Sequence, residues 1–491
     1  MKNSFNPKTF GFFIGLFFLL FILLTAPPEG LSQSGWYVTG VVLLMASWWA
    51  TEALPLPVTA LIPLALFPLL GIYDFSDASN PAKSAFTKVA APYAHPNVFL
   101  FLGGFILALA IEKVNLHKRM ALKMLLLVGT DSKYLIGGFM LVSGLLSMWI
   151  FNTSTTLMLL PIGLAVCGVM SETIPGLTDK DKSNFDTALL LGIAYAATIG
   201  GMSTLIGTAP NIVFVQFMNN QFGVDISFLD WVKIGVPVAS VMLVFAWVIL
   251  TKFIFPTSFS SSPETKNKLE QMFNELGPLS RDEIKVSILF FFAVVFWMTS
   301  KAIRDNLGIE LQDAGVAIIA AIILFMIPSQ NGKESLLKWE KTTKLPWGLL
   351  LLFGGGLSLG AQVSQTGLGL WIGEALTILE NVPSIILILA VAAMIIFLTE
   401  MTSNVATTAT FLPVFAAVAI AIGIVPVALT IPVCLAASCA FMLPVATPPN
   451  AIVYGSGKFT IATMMKAGFA LNIVGIFVVT IFSYFLAPII F

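Results

Sequence analysis

The chain has 491 residues, of which 57% are hydrophobic and only 10% charged, and its mean hydropathy is +0.94. A composition this apolar excludes a water-soluble domain and is typical of an integral membrane protein. Lysine plus arginine balance aspartate plus glutamate at 25 each, so net charge indicates neither a nucleic-acid partner nor an acidic one. Three cysteines in apolar stretches and two histidines argue against a disulfide framework and a histidine-based metal site.

Taken in chain order, nine apolar segments are predicted to be simple membrane spans, for which a helix needs about 17 to 25 residues. They lie near 9–26, 36–52, 56–72, 96–112, 231–254, 285–303, 314–328, 346–361 and 466–490. The first follows Lys2 and Lys8 as a signal peptide would, but no convincing small-residue cleavage site follows it. Residues 1–35 are therefore predicted to hold an extra N-terminal transmembrane helix.

Four further apolar regions are interrupted by Asn, Ser, Thr, Gly and Pro. They are 134–170, 185–218, 383–422 and 425–457. Irregular backbone at membrane depth is tolerated only where it is buried in protein or lines a wet cavity. These regions are therefore where function is expected.

Two clusters of basic residues, within 113–133 and 333–344, are predicted to be cytoplasmic. With a cytoplasmic N-terminus, both basic clusters are cytoplasmic only if segments 134–170 and 383–422 each enter and leave the membrane on the same side. The prediction is an all-α membrane protein with about eleven transmembrane helices, two re-entrant hairpins and an external C-terminus. Its parts are a first repeat at 36–254 (broken helix 185–218), a cytoplasmic linker at 255–284 and a second repeat at 285–491 (broken helix 425–457).

An internal repeat supports this division. Residues 152–161 align without gaps on 404–413 and share an Asn, two Thr, a Leu and a Pro. Downstream, a Thr-Ala-Pro-Asn motif at 208–211 corresponds to Thr-Pro-Pro-Asn at 447–450. The first hairpin is predicted to enter from the cytoplasm and the second from outside. The repeats would then have inverted topology, as in many secondary transporters with a midplane site.

These repeated motifs offer hydroxyl, amide and carbonyl oxygens, which are the ligands of hard cations, and helix N-termini that attract anions. A single polar residue in a membrane helix is more often structural, but the repetition favours a functional role for Asn152 and Asn404. Glu52 and Glu400 each lie at the end of an apolar span, where either could be a buried functional carboxylate, but an anchor at the membrane interface is favoured. Because acidic residues are scarce near the motifs, sodium coupling is favoured over proton coupling. The chain has no Walker motif, so an ion gradient must drive transport.

The segments 399–404, 207–211 and 443–450 resemble the divalent anion/sodium symporter family, whose members carry succinate, malate, fumarate, citrate or sulfate with sodium. The resemblance implies two sodium sites, a homodimer in the cytoplasmic (inner) membrane, and an elevator mechanism in which one part moves against a scaffold. The implied sodium ligands are Ser147, Phe151, Asn152 and Gly207 at one site and Thr399, Thr402, Asn404 and Ala446 at the other. The implied substrate contacts are Asn152, Thr153, Thr208, Ser403, Asn404, Thr447 and Pro448.

Two positions depart from the family pattern: Phe151 stands where Ser is usual and Val405 where Thr is frequent. The Phe151 ring either faces the anion or packs against a neighbouring helix. The predicted function is import of C4-dicarboxylates or citrate-like anions with sodium. Sodium-independent dicarboxylate exchange and transport of sulfate or another divalent anion remain alternatives. An anion channel is disfavoured because filters usually arise from symmetric subunits, and an enzyme is disfavoured because no catalytic constellation is visible.

Overall fold

The computed structural model describes residues 7–72, 81–128, 131–174, 177–257, 259, 263–332, 334–375 and 382–491. This described part is helical, apart from one isolated bridge between Pro328 and Ser335. In chain order the α-helices are α1 (Pro7–Leu24), α2 (Gln33–Thr51), α3 (Leu56–Thr59), α4 (Ile62–Leu69), α5 (Pro81–Ala90), α6 (Pro96–Lys113), α7 (Leu116–Val128), α8 (Ser132–Ser147), α9 (Asn152–Thr173), α10 (Asp179–Gly201), α11 (Ala209–Phe222), α12 (Phe228–Val248), α13 (Pro263–Asn274), α14 (Arg281–Leu307), α15 (Asp313–Met326), α16 (Trp347–Gln365), α17 (Leu368–Ala375), α18 (Ser384–Thr399), α19 (Asn404–Ala421), α20 (Val427–Ala437), α21 (Pro448–Tyr454), α22 (Ile461–Phe485) and α23 (Ala487–Ile490).

Several of these helices have the length and composition of membrane spans. Within the described residues seven segments qualify, and they are Ala85–Lys113, Asn152–Thr173, Phe228–Ile254, Arg281–Leu307, Trp347–Gln365, Asn404–Ala421 and Ile461–Ile490. The predicted span at 56–72 is divided between α3 and α4. Pro63 in the first turn of α4 has no N–H to donate to the Thr59 carbonyl, so the α3 helix cannot continue. The protein is a multi-pass, all-helical membrane protein.

All four interrupted regions are broken near the residues that the sequence indicated. We call residues 148–151, between α8 and α9, tip 1, and residues 400–403, between α18 and α19, tip 2. Residues 202–208, between α10 and α11, are break 1, and residues 438–447, between α20 and α21, are break 2. Each tip is followed by a helix whose first residue is the repeated asparagine, Asn152 in α9 and Asn404 in α19.

Packing brings each tip to its own break and joins the two repeats. Helix α8 lies against α10, and α18 lies against α20 and α22. The α8–α10 approach is close because a Cβ on Gly200 would overlap the backbone of Gly144. The helix that follows each tip packs on the helix that follows the break of the other half: α9 contacts α21, and α19 contacts α11. Residues of both tips therefore line one shared cavity.

The predicted linker at 255–284 contains helix α13, which packs against α7 and α9. Arg119 of α7 holds the end of this segment in place. Its Nε donates to the Glu283 carboxylate at 2.6 Å, and its guanidinium also donates to the carbonyls of Leu276, Gly277 and Pro278. Both charged side chains of the Arg119–Glu283 pair are largely buried, so the linker is a docked element.

Candidate functional site

The two repeated asparagines occupy equivalent positions with equivalent partners. The Asn152 Oδ1 accepts a hydrogen bond of 2.6 Å from the Ser147 hydroxyl, which belongs to the last turn of α8. The Asn404 Oδ1 accepts one of 2.8 Å from the Thr399 hydroxyl, at the end of α18. Each pair links the two arms of its hairpin across the tip and gathers a side-chain amide oxygen and a hydroxyl oxygen at one point.

The asparagines that follow the two breaks organise the loop backbone. The Asn211 Nδ2 donates to three carbonyls at or beside break 1, at 2.7 to 3.4 Å. The Asn450 Nδ2 donates to two carbonyls of break 2, at 3.0 and 3.2 Å. Both side chains are fully buried. Neither was among the predicted ligands, although the repeated Thr-x-Pro-Asn motif already marked both positions.

Glycine lets break 1 approach tip 1. A Cβ on Gly201 would lie 2.7 Å from the Asn152 Oδ1, and a Cβ on Gly207 would overlap the Gly201 carbonyl oxygen. The Thr204 hydroxyl then donates to the Met148 carbonyl of tip 1 at 2.5 Å. A larger residue at position 201 would push Asn152 away, and one at position 207 would distort the loop against Gly201, so both glycines set the geometry of the first predicted sodium site.

Tip 2 is joined to break 2 by a carboxylate. The Glu400 side chain accepts hydrogen bonds from the backbone N–H groups of Phe441 (2.7 Å), Met442 (2.9 and 3.0 Å) and Leu443 (3.1 Å). It also accepts one of 2.7 Å from the Asn472 Nδ2 of α22. Glu400 is only 3% exposed. The sequence suggested a span-end anchor, and the structure instead places this residue inside the protein, against a loop.

A cavity of about 940 Å³ lies where the tips and breaks meet. All seven residues predicted to contact the substrate line it: Asn152, Thr153, Thr208, Ser403, Asn404, Thr447 and Pro448. Of the predicted sodium ligands, it is also lined by Phe151, Gly207, Thr402 and Ala446. Ser147 and Thr399 are fully buried behind it, bonded to the two asparagines. The structure thus gathers the complete predicted set around one space.

The cavity offers neutral hydrogen-bond donors. Among the described residues that line it, Glu52 is the only one with an ionisable side chain. The first residues of α9, α11 and α19 face the cavity, and the first-turn N–H groups of a helix are not used within the helix. Hydroxyl groups of Thr153, Thr208 and Ser403 add further donors. These neutral donors can bind an anion although no basic side chain of the described wall forms an ion pair with it.

Phe151 lies at the wall of the cavity, and its ring packs on Phe105 of the neighbouring helix α6, with 4.3 Å between ring centroids. The aromatic contacts continue from Phe105 to Phe101 (5.0 Å) and from there to Phe353 of α16 (4.8 Å). The counterpart of Phe151 in tip 2, Ser403, has a hydroxyl at the cavity. The two ends of the cavity therefore differ chemically.

The available oxygen ligands fit a hard monovalent cation better than a transition metal. In the portion of the chain that the structure describes, no three or more His, Cys, Asp or Glu side chains are grouped to hold a metal ion. The asparagine and hydroxyl oxygens at each tip, together with loop carbonyls, are the neutral donors that sodium takes in place of water.

Comparison with known proteins identifies the class. The profile described as "Sodium:sulfate symporter transmembrane region" matches residues 7–490. The chain therefore belongs to the sodium:sulfate symporter family, as the motifs predicted, and it is a transporter and not an enzyme.

Individual relatives narrow the comparison. The chain is 38% identical over 493 residues to a protein of Staphylococcus saprophyticus named sodium-dependent dicarboxylate transporter SdcS, covering 99% of this chain and 93% of that protein. It is 37% identical over 495 residues to the protein of the same name from Staphylococcus aureus strain USA300, covering 100% and 93%.

Two solved structures share the fold. One is MtrF of Neisseria gonorrhoeae, whose report describes a class of antimetabolite efflux pumps, with a TM-score of 0.56 at 14% identity over 99% of this chain and 96% of the other. The other is the YdaH transporter of Alcanivorax borkumensis, reported to have an unusual topology, with a TM-score of 0.53 at 11% identity over 97% of each chain.

Proposed function

We propose that the protein imports C4-dicarboxylates or citrate-like anions together with sodium. The observation that carries this proposal is the repeated asparagine–hydroxyl pair, present at both tips around one cavity. The names of full-length relatives, sodium-dependent dicarboxylate transporters, support the same cargo.

The proposed sodium sites lie at the two tips, and sodium is treated as a transported ion. Site 1 consists of Ser147, Phe151, Asn152 and Gly207, and site 2 of Thr399, Thr402, Asn404 and Ala446. Phe151, Gly207 and Ala446 lack a side-chain oxygen and contribute their backbone carbonyls. When sodium enters, the asparagine and hydroxyl oxygens that now share a hydrogen bond would both turn their lone pairs to the ion.

The anion is proposed to lie between the tips. Its contacts are Asn152, Thr153, Thr208, Ser403, Asn404, Thr447 and Pro448. With no basic side chain in the described cavity wall, helix N-terminal N–H groups and hydroxyls hold the carboxylates. The positive charge that offsets a divalent anion then comes from the sodium ions.

We further propose an inverted repeat with eleven crossings, re-entrant hairpins, a cytoplasmic N-terminus, an external C-terminus and a homodimer in the cytoplasmic membrane. The repeats are 36–254 and 285–491, the linker is 255–284, and 1–35 holds the extra helix. The cavity lies between the tips and a wall formed by parts of α2, α6 and α16. This supports an elevator in which the hairpins and broken helices move against that wall.

The decisive measurement is uptake by purified protein in liposomes. Succinate, malate, citrate, tartrate and sulfate are compared with and without a sodium gradient, with choline as the replacement ion at fixed pH. We expect concentrative uptake of a di- or tricarboxylate to stop in choline and to resist a proton uncoupler. Undiminished uptake driven by pH alone would show that the coupling ion is misassigned. Exchange without sodium would establish the exchanger, and flux that does not saturate would establish the channel.

A further inference from the structure

Helix α12 is joined closely to break 1. The Trp231 Nε1 of α12 donates to the Met202 carbonyl at 3.0 Å, and a Cβ on Gly235 would lie 2.5 Å from the same carbonyl oxygen. Helix α12 also packs on α8, α10 and α22. Tip 1, break 1 and α12 therefore form one packed group, on the side that is proposed to move.

Helices α14 and α15 belong instead with α6, which forms part of the cavity wall. A Cβ on Gly103 of α6 would lie 2.5 Å from the backbone of Ala317 in α15, so these two helices are in close contact. Helix α14 is tied to the start of α15, because the Ser300 hydroxyl donates to the Asp313 carboxylate at 2.6 Å. These three helices form a second group, on the side of the proposed wall.

Polar contacts join the two groups at one boundary. In each contact one partner belongs to the segment 225–230 and the other to α14 or α15. The contacts are Lys301 Nζ to the Asp230 carboxylate at 3.0 Å, Arg304 Nη2 to the Asp225 carboxylate at 3.1 Å, and the Phe228 N–H to the Asp313 carboxylate at 2.8 Å.

An aromatic stack extends the same boundary to tip 1. Trp149 of tip 1 is stacked on Phe228 of α12 and on Trp297 of α14, with 6.0 and 6.5 Å between ring centroids. Phe228 and Trp297 are stacked on each other at 5.2 Å. The stack therefore ties the loop that carries proposed sodium site 1 to a helix of the second group.

The boundary also contains unfilled space. A cavity of about 260 Å³ lies there, lined by Leu205 of break 1 and by Arg304 and Asp313 opposite. Because protein interiors are otherwise closely packed, an unfilled boundary is a place where two groups can shift against each other.

The larger cavity between the tips opens elsewhere. Met401 and Val445 line it and are 77% and 83% exposed, and Glu52 lies on the same wall at the end of α2. In the proposed orientation the end of α2 is cytoplasmic, whereas 225–230 and 304–313 connect spans on the external side. The structure is thus open toward the cytoplasm and bonded at the external boundary.

We propose that the contacts at this boundary form an external lock, which holds the protein in the state whose cavity opens to the cytoplasm. The external lock consists of Trp149, Asp225, Phe228 and Asp230 on the moving side and Trp297, Lys301, Arg304 and Asp313 on the wall side. A movement of tip 1 along the wall would carry 225–230 past α14 and break the three polar contacts. The lock must therefore open each time that the binding site returns to the outside. This proposal rests on the proposed function, because it assumes the elevator movement.

The two lysines that bind Asp230 provide a matched pair of variants. Lys301→Ala removes a contact across the boundary, whereas Lys233→Ala removes a contact of the same length, 3.0 Å, within α12. In both variants Asp230 keeps one lysine partner, so neither change leaves the buried carboxylate unpaired.

The first measurement is the rate at which a membrane-impermeant maleimide labels a reporter cysteine from each side of oriented membrane vesicles. Val445→Cys supplies the reporter on the cavity surface, and the three native cysteines are buried. We expect Lys301→Ala to shift labelling from the cytoplasmic toward the external side, changing the ratio of the two rates by about two- to fivefold, as for one partly exposed ion pair. Lys233→Ala should leave the ratio as in the parent protein. A ratio that Lys301→Ala changes no more than Lys233→Ala would overturn the lock.

A second measurement leaves both lysines intact. A short bifunctional maleimide joins positions 225 and 304 in protein that carries Asp225→Cys together with Arg304→Cys. The cross-linked protein should lose sodium-driven succinate uptake in liposomes, whereas each single variant treated with the same reagent should still transport. Undiminished uptake by the cross-linked protein would show that these positions do not separate during transport and would refute the lock. A parent protein without sodium-driven uptake would overturn the proposed function instead.

Discussion

Replacing Phe151 with serine tests how the unequal ends of the cavity select an anion. The change removes a half-buried ring that packs on Phe105 at 4.3 Å and gives tip 1 the hydroxyl that tip 2 already has in Ser403. Two effects of opposite sign follow. Loss of the ring contact costs about 0.5 to 1.5 kcal/mol beyond lost burial, whereas a hydroxyl aimed at a carboxylate gains about 1.5 to 3 kcal/mol in binding.

The first effect concerns stability of the fold and the second concerns the anion, so they are separable. We expect the serine variant to melt at a lower temperature. We also expect it to re-rank anions by about 1 to 3 kcal/mol, the range for one group in a pocket, with sodium dependence kept. Space vacated by the ring should favour bulkier anions such as citrate over succinate.

The assay is competition of succinate, citrate and tartrate against labelled uptake in liposomes, together with thermal unfolding. The matched control is Phe151→Leu, which alters the ring contact without adding a donor. The leucine variant should lose stability as the serine variant does, but it should not show the change in anion preference that the hydroxyl causes. An unchanged ranking in the serine variant, with the stability loss alone, would refute a role of Phe151 in selectivity.

The other predictions concern the ligands and the linker. Asn152→Ala and Asn404→Ala should each abolish sodium-driven uptake while leaving monodisperse protein on size-exclusion chromatography, because each deletes an oxygen shared with a buried hydroxyl; normal transport by either variant would remove it from the site. Arg119→Ala should destabilise the protein by about 3 kcal/mol, since it leaves the buried Glu283 carboxylate unpaired. Thermal unfolding measures this loss, and Lys266→Ala, which breaks an exposed pair, should change stability by less than about 1 kcal/mol. Equal effects of Arg119→Ala and Lys266→Ala would contradict a docked linker.

The broken regions were predictable from sequence because their signals are local. An Asn or Thr-x-Pro-Asn motif inside an apolar run both interrupts the helix and marks a polar requirement, and the internal repeat showed that the pattern is not accidental. Asn152 and Asn404 consequently lie at the positions expected, and the residues chosen around them line one cavity.

The remaining features depend on partners that leave no pattern in the sequence. Glu400 is held by backbone N–H groups 41 to 43 residues away, and every residue except proline has such a group. Phe105 lies within an ordinary apolar span, so nothing distinguishes it as the neighbour of Phe151. Helix α13 is polar, and its sequence predicts only a linker, because its contacts with α7 and α9 arise only in the folded protein.

The absence of a basic side chain from the described wall of the cavity affects how readily the anion could cross the membrane without sodium. A permanent lysine or arginine there would stabilise a divalent anion at all times, and the loaded carrier could then cross alone and dissipate the anion gradient. When the compensating charge arrives only with the cations, an anion that enters first meets hydrogen-bond donors but no full positive charge, and it leaves again. In the proposed binding scheme, loading of the anion is conditional on sodium, and tight coupling would follow from the lack of a basic side chain in the described cavity wall. Passive efflux of succinate from sodium-free vesicles at the rate of the sodium-loaded ones would contradict this account.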